Sequence, residues 1–341
     1  MTAGRLAGAA VVAAGATGGA LIGWLAERRA TAGVRDGSDP EAVALATPVE
    51  GRPQWVTAPD GTRLHVETLG PEGAPTIVLA HGYTMSQAAW HYQRRDLSGE
   101  FRVVTYDQRG HGGSEDAAGG DYTMEALAHD LSAVIDQCVP AGEPVIVAGH
   151  SMGAMSAISF AQQHPELLGK RVPGFVLVST SGSDIIAGIL GASVGALPAI
   201  TKALLPRVVG LRGRLGALPS DLTFLAIRQI SLCPEASPAH VAFTERLALG
   251  CSGEVRAALI PAFTSLDLTE AARLVTVPTL VLAGERDRLT PIASARHLVE
   301  LLPEGQLVEL SGIGHMAPLE AHEAVTAHLR AFARRILAEA A

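Results

Sequence analysis

From residue 76 onward, six short runs are apolar at successive positions instead of alternate ones: "TIVLAHG" from 76, "FRVVTYD" from 101, "PVIVAGH" from 144, "GFVLVST" from 174, "TLVLAGE" from 279 and "QLVEL" from 306. A strand apolar on both faces must be covered on both, so these runs predict a parallel sheet with helices on each side. Longer amphipathic segments separate most of them. Strand alternating with helix predicts an α/β fold, a doubly wound and mostly parallel sheet whose sites form at the carboxyl ends of its strands. Ahead of the first run, "QWVTAPDGTRLHVETLG" (54–70) reads as two strands around a turn at Asp60-Gly61.

The regularity breaks between about 183 and 270. That stretch has no clear β run, is rich in Leu, Ala, Ile and Val, and is punctuated by Pro198, Pro206, Pro219, Pro234, Pro238 and Pro261. It predicts several short helices inserted between two strands, a helical lid over the carboxyl edge of the sheet. The N-terminus departs differently: residues 6–25, "LAGAAVVAAGATGGALIGWL", carry no charge. Twenty helical residues at about 1.5 Å each span roughly 30 Å, the thickness of a bilayer core. Trp24 stands where an interfacial aromatic would, Arg28 and Arg29 follow, and Gly15, Gly19 and Gly23 share one helical face.

Residues 1–29 therefore read as a transmembrane anchor. Two alternatives stay open: a signal peptide cleaved near Ala30-Thr31-Ala32, which would make the protein secreted, and a loose Ala/Gly-rich tail. As an anchor, Arg28, Arg29 and Arg35 outnumber Arg5 on the other flank, which favours the large domain on the cytoplasmic side. Residues 30–52 read as a polar linker and 53–341 as the α/β domain with its lid.

Composition narrows the function classes. The chain is 48% hydrophobic with few aromatics, enough for a large aliphatic core. Net charge is −8 and Lys and Arg are scattered, which argues against a nucleic-acid-binding face. Cys138, Cys233 and Cys251 lack metal-ligand spacing and read as buried thiols, with a Cys233–Cys251 disulfide left open. There is no P-loop, no H-E-x-x-H, no paired-Cys motif and no G-x-G-x-x-G after the first strand. Neither a metal nor an organic cofactor is expected.

The candidate chemistry lies in "GHSMG" (149–153), directly after one strand run and opening a helical stretch. G-x-S-x-G in that context is a nucleophile elbow. Gly149 and Gly153 make room for a turn that lifts Ser151 clear of the sheet. The backbone N–H of Met152 then stands at a helix N-terminus, where it can hold an oxyanion. The competing role for Ser151 is a helix N-cap.

"GHSMG", "AHGYTMSQAAW", "YDQRGHGGS", "LAGERDRLTP" and "GIGHMAPLE", in that order, resemble the α/β-hydrolase fold superfamily, nearest to its lid-bearing serine esterases, lipases and perhydrolases. The resemblance runs from about 54 to 335. It implies Ser151 as nucleophile, Asp287 as acid and His315 as base, with Asp184 an alternative acid. A serine needs a base of near-neutral pKa, and a carboxylate fixes that base's tautomer. The resemblance also implies the Tyr83 N–H, after His81-Gly82, as the second oxyanion donor, with the Tyr83 ring in the pocket. Asp107 and Arg109 would brace the turn, and His322 reads as a surface residue on a helix.

The implied activity is hydrolysis of carboxylic esters of apolar small molecules or lipids through an acyl-enzyme on Ser151. Perhydrolase or haloperoxidase-like, C–C hydrolase and acyltransferase activities remain alternatives on the same triad. A non-catalytic binding protein on this scaffold is the alternative from another class.

Overall fold

The computed structural model describes residues 23, 25–26, 28–35, 37–183 and 219–340. Eight strands form one sheet: β1 (Arg52–Thr57), β2 (Arg63–Leu69), β3 (Thr76–Ala80), β4 (Arg102–Tyr106), β5 (Val145–His150), β6 (Gly174–Val178), β7 (Thr279–Gly284) and β8 (Gly305–Leu310). Their order is β1-β2-β4-β3-β5-β6-β7-β8. β1, β2 and β4 pair antiparallel, and every other pair is parallel. β1 and β2 are the predicted hairpin, turning through Gly61 at φ +92°. From β3 the chain builds toward β4, then crosses back to place β5 on the other side. Strand order therefore reverses at β3/β5, and in open α/β sheets that switch point leaves a crevice at the carboxyl ends.

The unalternating runs are explained by two buried faces. Val78, Val104, Val147, Leu177 and Val281 pack on one side, against α3 (Met124–Cys138) and α4 (Met152–Gln163). Their neighbours Ile77, Val103, Ile146, Val176 and Leu282 pack on the other, against α2 (His91–Leu97) and the long C-terminal helix with Leu329, Phe332 and Ile336. Each such aliphatic side chain contributes about 1.5–3 kcal/mol on full burial. α3 starts where Thr123 accepts a hydrogen bond from the Ala126 N–H, and Leu127, Leu131, Val134 and Ile135 give it a helical apolar stripe.

Between β6 and β7 the described residues form α5 (Asp221–Ser231), α6 (Pro238–Gly250), α7 (Gly253–Thr264) and α8 (Thr269–Arg273). Phe224, Leu232, Val241 and Phe243 from this insertion pack with Met85, Tyr92, Met316 and Leu319, the methionines coming from loops beyond β3 and β8. After β7 come α9 (Ile292–Leu301), the one-turn α10 (Ala317–Glu320) and α11 (His322–Ala340). Asp184 and residues 184–218 of the expected lid lie outside the described residues.

The apolar segment 6–25 also lies almost entirely outside them. Among the described residues no helix is long and apolar enough to cross a membrane. Cys138, Cys233 and Cys251 are free and buried, so the Cys233–Cys251 disulfide does not form.

Two expectations are corrected. The polar stretch 30–52 is not irregular throughout: it forms a turn of helix at Ala32–Arg35 and then α1 (Pro40–Ala46). Asp39 caps α1 through the Glu41 N–H and also accepts from Ser237 Oγ at 2.7 Å and the Ala239 N–H at 3.2 Å on α6. From the other side His91 Nε2–H donates to the Ala44 carbonyl at 3.0 Å. Nor is His322 a surface residue. It is half-buried, stacked on the Tyr92 ring with centroids 3.9 Å apart. Contacts made by residues far away in sequence decided both.

Candidate active site

Ser151 sits between β5 and α4 with φ +50° and ψ −114°, a left-handed conformation that costs a non-glycine residue roughly 1–3 kcal/mol. The strain is held from three directions. The Ser151 N–H donates to the Val178 carbonyl at 2.9 Å, and the Ser151 carbonyl accepts from the N–H groups of Ala154 and Met155 and from Thr180 Oγ1. The flanking glycines are required by space. A Cβ on Gly149 would lie 2.4 Å from the Ala154 nitrogen, and one on Gly153 2.3 Å from the Ala80 carbonyl oxygen. The serine side chain does not cap the helix. Among the described residues nothing hydrogen-bonds Ser151 Oγ.

Asp287 and His315 meet beyond the carboxyl ends of β7 and β8. His315 Nδ1 lies 2.8 Å from Asp287 Oδ2. The other carboxylate oxygen accepts the Leu289 and Thr290 N–H groups at 2.8 Å each, and Thr290 Oγ1 donates to Oδ2 at 2.6 Å. Burial alone would push the Asp287 carboxyl up. The facing His315 and the bonds from His315 and Thr290 outweigh it and hold the pKa below the ordinary 3.8. The carboxylate stays ionised, so the imidazole keeps its Nδ1–H toward Asp287 and leaves Nε2 as an acceptor.

His150, the residue before Ser151, links the two halves. Its ring is fully buried beside His315, with centroids 4.9 Å apart, and its Nε2–H donates to the His315 carbonyl at 2.9 Å. Burial, helped by the charge His315 can carry, pushes its pKa down to about 3, so it stays neutral. Ser151 and His315 are thereby brought to one edge, though no hydrogen bond joins them. Such bonds are often long or misaligned in unliganded enzymes.

The β3 loop closes the other side. A Cβ on Gly82 would stand 3.2 Å from the Ser151 Cβ. His81 accepts the Gln108 N–H at Nε2 and donates from Nδ1 to the Gly82 carbonyl, so it is a neutral strut. His111 does likewise, accepting the Thr84 N–H and donating to the Arg109 carbonyl, with its pKa pushed down to about 3 by burial. Thr84 is held at φ +60°. Among the described residues the Tyr83 N–H has no protein acceptor, and the Met152 N–H, first in its helix, has none within the helix. The Tyr83 hydroxyl donates to the Arg256 carbonyl of α7 at 2.7 Å, and its ring packs edge-on to Phe263 at 5.0 Å.

Asp107 and Arg109 stand behind this loop. Asp107 accepts from the Gln87 and Gly113 N–H groups and from His65 Nδ1. Arg109, buried, grips Asp130 with two hydrogen bonds of 2.6 and 2.7 Å and reaches Asp60 at 2.9 Å. Burial opposes its charge, but these carboxylates raise its pKa further. Four residues in contact with the site escaped the sequence reading: His150, Thr290, His111 and Glu320. Each lies inside one of the quoted motifs, so the signal was proximity to a motif. Their roles depend on partners across the fold. No group of three or more His, Cys, Asp or Glu able to hold a metal occurs among the described residues.

The sequence pattern described as "Alpha/beta hydrolase family" matches residues 77–328. The chain is 28% identical over 290 residues to a bifunctional esterase/perhydrolase of Acinetobacter calcoaceticus, covering 82% of this chain and 99% of that one. It is 28% identical over 268 residues to a non-heme chloroperoxidase of Burkholderia pyrrocinia, covering 76% and 92%. A thermophilic esterase from Thermogutta terrifontis superposes with a TM-score of 0.69 at 25% identity, over 84% of this chain and 99% of that one.

Proposed function

This chain belongs to the alpha/beta hydrolase family, and from that premise we propose that it is a serine hydrolase that cleaves carboxylic esters of apolar small molecules or lipids through an acyl-enzyme. The observation that carries the reading is the buried 2.8 Å pair of Asp287 and His315 lying against His150, next to a serine in a strained turn. Asp287 orients the imidazole so that Nε2 takes the Ser151 proton as Oγ attacks the ester carbonyl carbon. The carbonyl oxygen becomes an oxyanion within reach of the Tyr83 and Met152 N–H groups. Each such donor is worth about 3 kcal/mol of transition-state stabilisation. As the C–O bond breaks, His315 gives its proton to the departing alcohol. A water then passes a proton to His315 and attacks the acyl carbon. The carboxylic acid leaves and the Ser151 hydroxyl is restored.

An apolar acyl or alcohol group suits the insertion, read as a lid. The run at 222–230 buries Phe224 in the cluster the insertion shares with the main domain and leaves Leu222 and Ile230 exposed. Hydrolysis of para-nitrophenyl esters from acetyl to palmitoyl, with Ser151→Ala beside the native protein, tests the assignment. Turnover that vanishes in the variant supports it; equal turnover in both rejects it. Labelling of Ser151 by a fluorophosphonate separates an enzyme from a non-catalytic binding protein.

The similarity to an esterase/perhydrolase and a chloroperoxidase favours a second reading, in which hydrogen peroxide replaces water as acyl acceptor. Peracid formed from acetate and peroxide, and lost in Ser151→Ala, would select it. The uncharged segment 6–25 supports attachment to a membrane, and Arg28, Arg29 and Arg35 against Arg5 favour the catalytic domain on the cytoplasmic side. Protease digestion of that domain on intact cells would reject this orientation.

A further inference from the structure

The loop that carries His315 is fastened by a carboxylate outside the triad. Glu320 Oε2 accepts the Cys233 N–H at 2.6 Å and the Gly314 N–H at 3.2 Å, while Oε1 accepts the Met316 N–H at 2.9 Å. Two of these donors flank the histidine. The third lies just past the end of α5, 87 positions away in sequence. The same end of α5 supplies a second support: the Ser231 carbonyl accepts both the His315 and the Met316 N–H groups at 3.1 Å. The fit leaves little slack, since a Cβ on Gly314 would lie 2.6 Å from the Cys233 nitrogen. With His150 Nε2–H on the His315 carbonyl, the backbone from 314 to 316 has acceptors for all three N–H groups, and two of the three attachments lead to the insertion.

We infer that Glu320 is a positioning residue for the base: its carboxylate ties residues 314–316 to the carboxyl end of α5, so the insertion sets where the His315 imidazole stands. The inference rests on the reading of His315 as general base. Glu320 itself does not touch Ser151 or the reacting atoms. Its carboxylate collects hydrogen bonds from two separate segments, beyond what capping the one-turn α10 would need. Asp287 fixes the tautomer and plane of the ring, and Glu320 fixes the backbone that bears it.

The test compares Glu320→Ala and Glu320→Gln in the full chain. Gln can keep its oxygen toward Cys233 and Gly314 and lose only the Met316 bond, which the Ser231 carbonyl backs up. Ala loses all three. The expected result is a fall in kcat of about 100-fold for Ala, as misplacement by an ångström produces, with KM unchanged and Gln between Ala and native. Hydrogen exchange should quicken at Cys233, Gly314 and Met316 in Glu320→Ala and stay native at Leu289 and Thr290. Native kcat in Glu320→Ala, alongside turnover that Ser151→Ala abolishes, overturns this inference alone. Exchange quickened across the whole sheet, with kcat falling in step with Tm in both variants, overturns it too and leaves Glu320 a general stabiliser. Native turnover that survives Ser151→Ala overturns the serine reading beneath it.

Discussion

Replacing Asp287 by Asn changes one atom and should remove nearly all activity. Oδ1 receives two backbone N–H groups, from Leu289 and Thr290, which only an oxygen can accept. The amide must therefore keep its oxygen there and turn its NH2 toward His315 Nδ1. That NH2 can only donate, so Nδ1 must give up its proton and Nε2 must carry one. A histidine protonated at Nε2 cannot accept the Ser151 proton. In Ser-His-Asp sites a locked wrong tautomer lowers kcat by about 10⁴-fold, or about 5.5 kcal/mol of activation free energy. The fold should barely notice, because the two backbone bonds remain and Thr290 Oγ1 can turn to another acceptor. The assay is kcat on a short para-nitrophenyl ester, with Tm measured beside it. A kcat within tenfold of native, at unchanged Tm, would refute the reasoning. Because the Asp287 pKa is held below 3.8, its stabilising contribution is present above that value and lost as pH falls through the lower folded pKa.

Three other outcomes are expected. Gly153→Ala drives a methyl group into the Ala80 carbonyl and should destabilise the fold by about 3 kcal/mol or more, read as a lower urea midpoint. Tyr83→Phe loses the bond to the Arg256 carbonyl, costing about 1 kcal/mol, and should shift chain-length preference more than rate. Complete loss of turnover there would implicate the hydroxyl and sink the backbone-donor assignment. The docking of α1 should weaken in acid, because burial lowers the pKa of both His91, bonded to the Ala44 carbonyl, and His240, which faces Glu41 of α1 at 3.5 Å, below 6.5. Their contribution is full above 6.5 and lost as pH falls toward the folded pKa values. Protection from hydrogen exchange over residues 40–46, taken relative to the intrinsic exchange rate at each pH, should therefore be weaker at pH 5.5 than at pH 7.5, and equal protection would count against a histidine latch.

The strands were legible because each is buried on both faces, and that leaves a local mark: Ile77, Val78 and Leu79 are apolar in succession and all fully buried. The elbow was legible because two positions beside Ser151 have no room for a Cβ, a local constraint written as Gly149 and Gly153. α1 was not legible. It is seven residues long, too short to hold itself together in water, and it exists because Asp39, Glu41 and Ala44 meet α6 and α2. His322 lies on the first turn of a helix whose pattern marks it as polar, and only the arrival of the Tyr92 ring covers it.

What the sequence by itself determined was the order of strands and helices, the turn that carries Ser151, and the loops in which Asp287 and His315 stand. These depend on periodicity, turn strain and residue chemistry within a dozen positions. The tertiary structure decided that Asp287 reaches His315, that His150 holds the His315 carbonyl from 165 positions away, and that Glu320 ties the same loop to the insertion. Those are hydrogen bonds between groups that packing brings within 3 Å or so, and no local pattern records which distant partner will arrive.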